Sequence, residues 1–147
     1  MDIWEIAARE CVRQTMSDYT AATDRFDLQA LAACFSEHGT LRFTGSEPLV
    51  GRDAIQAGLG AQLGPGGDRP APSYVRHHVS SVRFTEVGAD QVGVGSCFVV
   101  YTDIGVDHWG RYRDVLIPVA ERWLFESRSI RVDGYAANSL MRNASHD

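Results

Sequence analysis

Residues 74–84 read Tyr-Val-Arg-His-His-Val-Ser-Ser-Val-Arg-Phe, a run of β-branched and aromatic residues that predicts a β-strand. Successive side chains of a strand point to opposite faces, so His77 and His78 cannot both face the protein interior. The residues expected on the inner face are Val75, His77, Val79 and Ser81. An imidazole in that setting needs a hydrogen-bond partner. His77 is therefore either a core histidine satisfied by a hydroxyl or carbonyl group, or part of a functional site.

The chain after this run is nearly all strand-like. The turn signals Gly88-Ala89-Asp90 and Gly105-Val106-Asp107 separate alternating or apolar stretches. The strands predicted are residues 74–87, 91–103, 108–119 and 122–132. Because the connections are short, neighbouring strands are expected to pair as antiparallel hairpins.

The chain before this run has helical periodicity. Apolar residues recur at steps of three to five from Ile3 to about Thr23, which predicts an amphipathic first helix. Asp27 is a suitable N-cap for a short second helix from Leu28 to Phe35, and Gly39 is expected to end it. The other elements predicted here are a strand over residues 40–44 and a third helix over residues 52–63.

Helices followed by strands are the order of an α+β domain, in which helices cover one face of a sheet. We predict a cone-shaped α+β barrel, with three helices over a curved, mostly antiparallel sheet. The 147 residues suit one domain, expected over residues 1–134, followed by a partly disordered tail over residues 135–147. Residues 64–72 predict a loop, either a mobile flap at a pocket mouth or a plain surface loop.

Composition excludes several classes of function. The net charge is -5, and all 14 basic residues are arginines that are scattered along the sequence, which argues against a nucleic-acid groove. The absence of lysine excludes Schiff-base catalysis, pyridoxal phosphate attachment and a Walker phosphate loop. The three cysteines form no Cys-x-x-Cys pair, so neither a disulfide framework nor a zinc site is indicated. Without an apolar span or a secretory signal, the expected location is cytoplasmic.

Aromatic and histidine side chains are the candidates for lining a ligand pocket. The substrate-binding residues predicted are Tyr19, Phe43, Tyr74, Tyr101, His108 and Trp109. His108 has two interpretations, a second proton donor in the pocket or a surface histidine at a strand edge. No metal site is expected, because His77 and His78 face opposite ways.

The order of these elements resembles the SnoaL-like branch of the nuclear transport factor 2-like superfamily. The residues that carry the resemblance are Thr23-Asp24, Gly51-Arg52-Asp53-Ala54-Ile55 and Arg76-His77-His78-Val79-Ser80-Ser81. Within that superfamily the chain resembles the scytalone dehydratase and hexachlorocyclohexane dehydrochlorinase type. These proteins carry an aspartate at the end of the first helix and a histidine on the strand after the flexible loop, and Asp24 and His77 match those positions. Ser81 stands where the family often has asparagine, and Thr23 where scytalone dehydratase has tyrosine.

The resemblance implies a catalytic dyad in which Asp24 orients His77, and His77 acts as general acid and base. It implies a cofactor-independent, metal-free lyase that performs a dehydratase-type elimination on a small hydrophobic cyclic or polyketide-like compound. Two alternatives remain open: a ketosteroid-isomerase-like isomerase or polyketide cyclase, and a non-catalytic ligand-binding or oligomerising subunit.

A homodimer is the expected assembly, and family members also form trimers. One sheet face lies on the helices and the other is free. Four apolar residues cannot all point into the pocket: Val82, Phe84, Val100 and Trp123. We therefore expect association through the outer face of the sheet.

Overall fold

The computed structural model describes residues 1–63 and 70–142. The helices are α1 (Ile3–Asp24), α2 (Leu28–Ala32) and α3 (Arg52–Leu63). The strands are β1 (Phe35–Phe43), β2 (Leu49–Val50), β3 (Arg76–Val87), β4 (Val92–Thr102), β5 (Gly105–Val119) and β6 (Arg122–Tyr135). They form a six-stranded sheet in the order β2-β1-β6-β5-β4-β3, in which β1 and β6 are parallel and the other pairs antiparallel.

The predicted α+β class, with three helices and a curved, mostly antiparallel sheet, is confirmed, and the sheet is open with β2 and β3 at its edges. The long helix α1 contacts β3 and β6, and buries Val12, Met16 and Tyr19. Its first turn does not join the core, because Ile3 and Ile6 are 86% and 54% exposed. None of the helices within the described residues has the length and apolar character needed to cross a bilayer.

The segment after α2 differs from its prediction. Helix α2 ends at Ala32 and strand β1 begins at Phe35, so Gly39 lies inside a strand and does not end a helix. A Cβ atom at Gly39 would lie 2.6 Å from the carbonyl oxygen of Phe125 on β6. The glycine therefore permits the close approach of β1 and β6. The predicted N-cap is confirmed, since the Asp27 side chain accepts the backbone N–H of Ala30 at 3.0 Å.

A β-bulge in β3 changes which side chains face the helices. Ser81 has φ +52°, and the pairing with β4 shifts between Ser80 and Arg83. Ser81 is exposed, so its predicted inward orientation is wrong, and Val82 and Phe84 pack against the core instead.

The apolar residues expected on the outer face of the sheet lie on its inner face. Val100 is fully buried, and Val82, Phe84 and Trp123 pack against the same core cluster. The guanidinium groups of Arg9 and Arg13, on α1, lie 4.7 and 5.1 Å from the centre of the Phe84 ring. These residues thus give no support to association through the outer face.

Two predictions concern connecting segments. Of the predicted loop over residues 64–72, residues 64–69 lie outside the described part of the chain. The predicted turn at residues 105–107 is wrong, because β5 begins at Gly105 and the turn falls at Asp103 and Ile104.

Candidate functional site

Asp24 and His77 meet where the end of α1 crosses the start of β3. Asp24 Oδ1 lies 2.7 Å from His77 Nδ1, and the same carboxylate accepts the backbone N–H of His77 at 3.1 and 3.2 Å. An ionised carboxylate can only accept a hydrogen bond, so the ring donates from Nδ1, and Nε2 points away from Asp24. The side chains of His77 and Asp24 are 10% and 9% exposed. Asp24 thus fixes both the ring and the backbone of His77, as the dyad prediction requires.

His108 lies in the same row of the sheet as His77. His77 pairs with Val100 on β4, and Val100 pairs with His108 on β5. The two histidines are therefore two strands apart on one face, with about 10 Å between their backbones. Both rings contact Phe98, with ring centres 6.4 Å (His77) and 6.1 Å (His108) from it. The row thus places two imidazoles on the same sheet face, one on either side of Phe98.

A second aspartate–histidine pair holds His108. His108 Nδ1 lies 2.9 Å from Asp107 Oδ1, although the two residues are adjacent in the strand. The pairing of β5 with β4 shifts here, because Val100 pairs with His108 and Tyr101 pairs with Val106. Asp107 therefore has no paired residue on β4. This β-bulge lets two successive side chains turn to the same side. Asp107 is fully buried and His108 is 9% exposed.

The carboxylate of Asp107 is also the anchor for the chain after β6. It accepts the hydroxyl of Ser139 at 2.6 Å, the backbone N–H of Leu140 at 2.7 Å and the hydroxyl of Thr102 at 3.1 Å. Ser139 is 6% exposed. Residues 136–142 of the segment predicted to be a partly disordered tail are therefore held against β5, while residues 143–147 lie outside the described part of the chain.

Burial and hydrogen bonding shift the pKa values of this pair. Burial would raise the pKa of Asp107, but hydrogen bonds from Ser139, His108, Leu140 and Thr102 outweigh it and hold that pKa below its ordinary value. For His108, burial lowers the pKa more than Asp107 raises it, and the neighbouring His77 lowers it further. His108 is therefore neutral at pH 7, with the hydrogen on Nδ1 and a free lone pair on Nε2.

Deeper in the core, a buried arginine joins β6 to β5. Arg128 donates from Nε and Nη2 to the two carboxylate oxygens of Asp114, each at 2.8 Å. Its guanidinium carbon lies 4.0 to 4.3 Å from the ring centres of Tyr112, Tyr19 and Phe125. Burial raises the pKa of both tyrosines, so their hydroxyl groups stay protonated.

The predicted pocket residues divide between the two faces of the sheet. Tyr19 is a core residue, packed edge-on against Phe35 and Phe125, and Phe43 is partly buried against the same core. Trp109 and Tyr101 alternate with His108 and Val100, so their side chains lie on the opposite face from the histidines.

Tyr101 and Trp109 therefore lie away from the two aspartate–histidine pairs. Tyr101 contacts the exposed His78 with ring centres 4.8 Å apart, and Trp109 is 41% exposed. Tyr74 is 44% exposed and donates its hydroxyl to the carbonyl of Thr102 at 2.8 Å. Within residues 1–63 and 70–142, no three His, Cys, Asp or Glu side chains converge as metal ligands would.

The sequence profile of the SnoaL-like domain matches residues 4–129. The chain belongs to the SnoaL-like family. This family includes polyketide cyclases and dehydratases, and its domains bind small hydrophobic ligands. No curated protein matches the chain.

Solved structures carry the same fold as this SnoaL-like domain. A protein from Novosphingobium aromaticivorans, provisionally named a scytalone dehydratase, has a TM-score of 0.72 and 20% identity over 95% of this chain and 94% of that one. Aln2 from a Streptomyces species has a TM-score of 0.71 and 25% identity over 83% and 88%. A Catenulispora acidiphila protein has a TM-score of 0.70 and 28% identity over 88% and 95%.

Sequence reasoning missed Asp107 and Arg128 in this SnoaL-like domain. The sequence predicts a turn at Asp107 because Gly105 lies two residues before it, and the signal that points to a functional role is its position directly before His108. Arg128 gave no signal, since nothing in its strand distinguishes a buried arginine from the exposed arginines at other positions.

Proposed function

We propose that this SnoaL-like domain is a cofactor-independent lyase that performs a dehydratase-type elimination on a small hydrophobic cyclic or polyketide-like compound. The observation that carries the proposal is the 2.7 Å contact of Asp24 with His77 Nδ1, which leaves Nε2 of a nearly buried imidazole as a base. The family's range of dehydratases and polyketide cyclases supports the reaction class.

In the proposed reaction, His77 Nε2 takes a proton from the carbon beside a carbonyl group of the substrate. Asp24 stabilises the imidazolium that forms. The imidazolium returns that proton to the hydroxyl on the neighbouring carbon, the C–O bond breaks, and water leaves. His77 ends neutral, so each turnover starts from the same state.

His108 has a different role in this proposal. Because His108 is neutral and its Nδ1 donates to Asp107, its Nε2 can only accept a hydrogen bond. We assign it to positioning a hydroxyl group of the substrate opposite His77. This assignment uses the common row of the two histidines on the inner sheet face.

The second candidate is an isomerase or polyketide cyclase of the ketosteroid-isomerase type. The same proton transfer by His77 would serve it, without loss of water. The buried, protonated hydroxyl group of Tyr112, whose ring stacks on Phe98, favours this candidate, because a phenol of that kind stabilises an enolate oxygen.

The test uses a panel of hydrophobic cyclic β-hydroxy ketones, with product mass and ultraviolet absorbance as the readouts. A lyase yields a conjugated product lighter by one water, whereas an isomerase or cyclase that does not eliminate water leaves the mass unchanged. We expect His77→Ala to lower kcat by about a hundredfold or more, and Asp24→Asn by somewhat less because the imidazole remains.

The matched control is His78→Ala, which removes the same group from the exposed face of the same strand. It should keep full activity. If His77→Ala retains wild-type turnover on a substrate that the wild type converts, the dyad is not the catalyst. If no member of the panel is converted but one binds, the ligand-binding alternative becomes the better account.

We also propose that the protein is a homodimer. The residues first expected to form the interface on the outer face pack in or against the core, so they do not supply its contacts. Large exposed apolar side chains near the start of α1 offer one: Ile3, Trp4 and Ile6.

A further inference from the structure

The outer face of the sheet, opposite the histidines, concentrates arginine. Five arginines from four strands line a cavity of about 700 Å³ there: Arg42 on β1, Arg83 on β3, Arg111 and Arg113 on β5, and Arg131 on β6. We call this surface the arginine groove. The arginines that looked scattered along the sequence are thus clustered in the structure.

Strand register places these arginines in two adjacent rows with small residues between them. The first row is Arg42, Ser129, Arg113, Gly95 and Arg83, one residue from each of five neighbouring strands. The second row contains Arg131, Arg111 and Cys97. A Cβ atom at Gly95 would meet nothing within 4 Å, so the floor of the arginine groove is open at its centre.

The charge of the arginine groove is only partly balanced. Asp133 binds Arg111 at 2.9 and 3.0 Å and Arg131 at 3.4 Å. Arg42, Arg83 and Arg113 have no ion-pair partner among the described residues. Arg111 and Arg131 are also direct cross-strand partners, an arrangement of like charges that destabilises a sheet. A chain with net charge -5 thus holds a strongly cationic surface at this place.

We infer that the arginine groove binds a small organic molecule that carries two or more phosphate groups. Guanidinium groups are planar forks that pair with phosphate oxygens through two parallel hydrogen bonds. The cavity volume of about 700 Å³ is in the range of small-molecule sites. The small residues at the floor let a ligand lie against the strands between the arginines. This inference does not rest on the proposed lyase activity, because the two sites use opposite faces of the sheet.

A second copy of the chain would fit the arginine groove less well than a phosphate-bearing ligand. In a two-fold symmetric dimer the same surface meets itself, which would bring the five arginines of one copy against the five of the other. A phosphate-bearing ligand instead supplies several negative charges to the centre of the arginine groove.

The test is calorimetric titration of the whole protein at low ionic strength with ADP, inorganic pyrophosphate and adenosine. ADP and pyrophosphate should bind, and adenosine should not. Arg83→Gln/Arg113→Gln should weaken ADP binding by about a hundredfold, near tenfold for each guanidinium lost. These two arginines are chosen because changing Arg111 or Arg131 would also remove an ion pair with Asp133.

Two further variants distinguish a specific binding site from non-specific electrostatic attraction of ADP to the protein. Gly95→Val adds no charge and fits the strand, yet fills the floor of the arginine groove, so it should abolish ADP binding with an unchanged unfolding midpoint. Arg25→Gln, an exposed arginine at the end of α1, should bind ADP as the wild type does.

Several results would overturn the inference. One is no binding of ADP or pyrophosphate at millimolar concentration. Another is equal weakening in Arg25→Gln and in Arg83→Gln/Arg113→Gln, and a third is unchanged affinity in Gly95→Val. Tighter binding of a 20-nucleotide single strand through the same arginines would assign the surface to nucleic acid. Conversion of a dimer to a monomer by Arg83→Gln/Arg113→Gln would assign it to self-association.

Discussion

At the scale of single residues, His108 shows how burial and a carboxylate compete for one proton. Asp107 favours the imidazolium, but the loss of water around the ring disfavours it more, so the pKa of His108 falls below its ordinary value. The result is a neutral ring with a defined tautomer on the same sheet face as His77. A neutral acceptor there suits the positioning of a substrate hydroxyl.

The lowered pKa of His108 predicts a pH dependence of stability. The unfolded chain protonates this histidine near pH 6.5, whereas the folded protein does so only at lower pH. The unfolded state then binds more protons in that window, so the free energy of unfolding decreases as the pH falls below about 6.5. We expect the thermal unfolding midpoint of His108→Gln to decline less between pH 7 and pH 5 than that of the wild type.

The control for this prediction is His78→Gln, which changes an exposed histidine on the outer face. Its midpoint should follow the wild-type pH profile. Identical profiles for wild type and His108→Gln would show that His108 does not carry the pH dependence.

At the scale of elements, two β-bulges decide which side chains of the sheet face the helices. The bulge at Ser81 turns Val82 and Phe84 toward the core, and the bulge at Asp107 turns an aspartate and its neighbouring histidine to the same side. The second bulge also fixes the chain after β6, because Asp107 accepts hydrogen bonds from Ser139 and Leu140. One carboxylate thus links β5, His108 and the C-terminal segment.

Removal of the Ser139 hydroxyl should weaken that link. Ser139 donates to Asp107 at 2.6 Å and accepts the backbone N–H groups of Met141 and Arg142 at 3.3 and 3.1 Å. A hydrogen bond to a charged, buried carboxylate is worth about 1.5–3 kcal/mol, so Ser139→Ala should lower the free energy of unfolding by that amount. Denaturant titration measures it.

Ser129→Ala is the matched change at an exposed position of β6, and should alter stability by at most about 0.5 kcal/mol. Equal stability of Ser139→Ala and Ser129→Ala would mean that the C-terminal segment is not held by this contact.

At the scale of the whole molecule, two bidentate arginine–aspartate pairs join β5 and β6 on opposite faces. Arg128 and Asp114 are buried among aromatic rings, whereas Arg111 and Asp133 lie at the surface. Their geometry is similar and their surroundings differ. Removing one partner of a buried pair leaves an uncompensated charge, while a surface pair contributes little.

We therefore expect Asp114→Asn to lower the free energy of unfolding by about 3–5 kcal/mol and Asp133→Asn by at most about 1 kcal/mol. The double variant Asp114→Leu/Arg128→Met should be more stable than Asp114→Asn, because it also removes the buried guanidinium that has lost its carboxylate partner. Denaturant unfolding of the three variants gives the comparison. Equal losses for Asp114→Asn and Asp133→Asn would contradict the assigned role of burial.

The proposed homodimer is tested by sedimentation equilibrium at micromolar concentration. We expect a dimer for the wild type and a monomer for Ile3→Glu/Ile6→Glu, since charges would replace the exposed apolar side chains of α1. Val50→Glu makes the same chemical change at an exposed position of β2 and should stay dimeric. A monomeric wild type would rule the proposal out.

The sequence by itself determined the features that depend on neighbouring residues. Helical spacing located α1 and α3, alternation located the four long strands, Asp27 marked the N-cap of α2, and the period of the strand turned His77 inward and His78 outward. These properties follow from local backbone geometry, which a linear pattern records. The family resemblance added Asp24 as the partner of His77.

Only the tertiary structure decided what depends on strand register and on contacts between distant segments. The two bulges arise from pairing with β4, and they reversed the expected faces of Ser81, Val82 and Phe84 and exposed the role of Asp107. The burial of Arg128 and the rows of the arginine groove likewise arise where strands distant in sequence lie side by side. A one-residue change of register moves every following side chain to the other face, and no local pattern encodes that change.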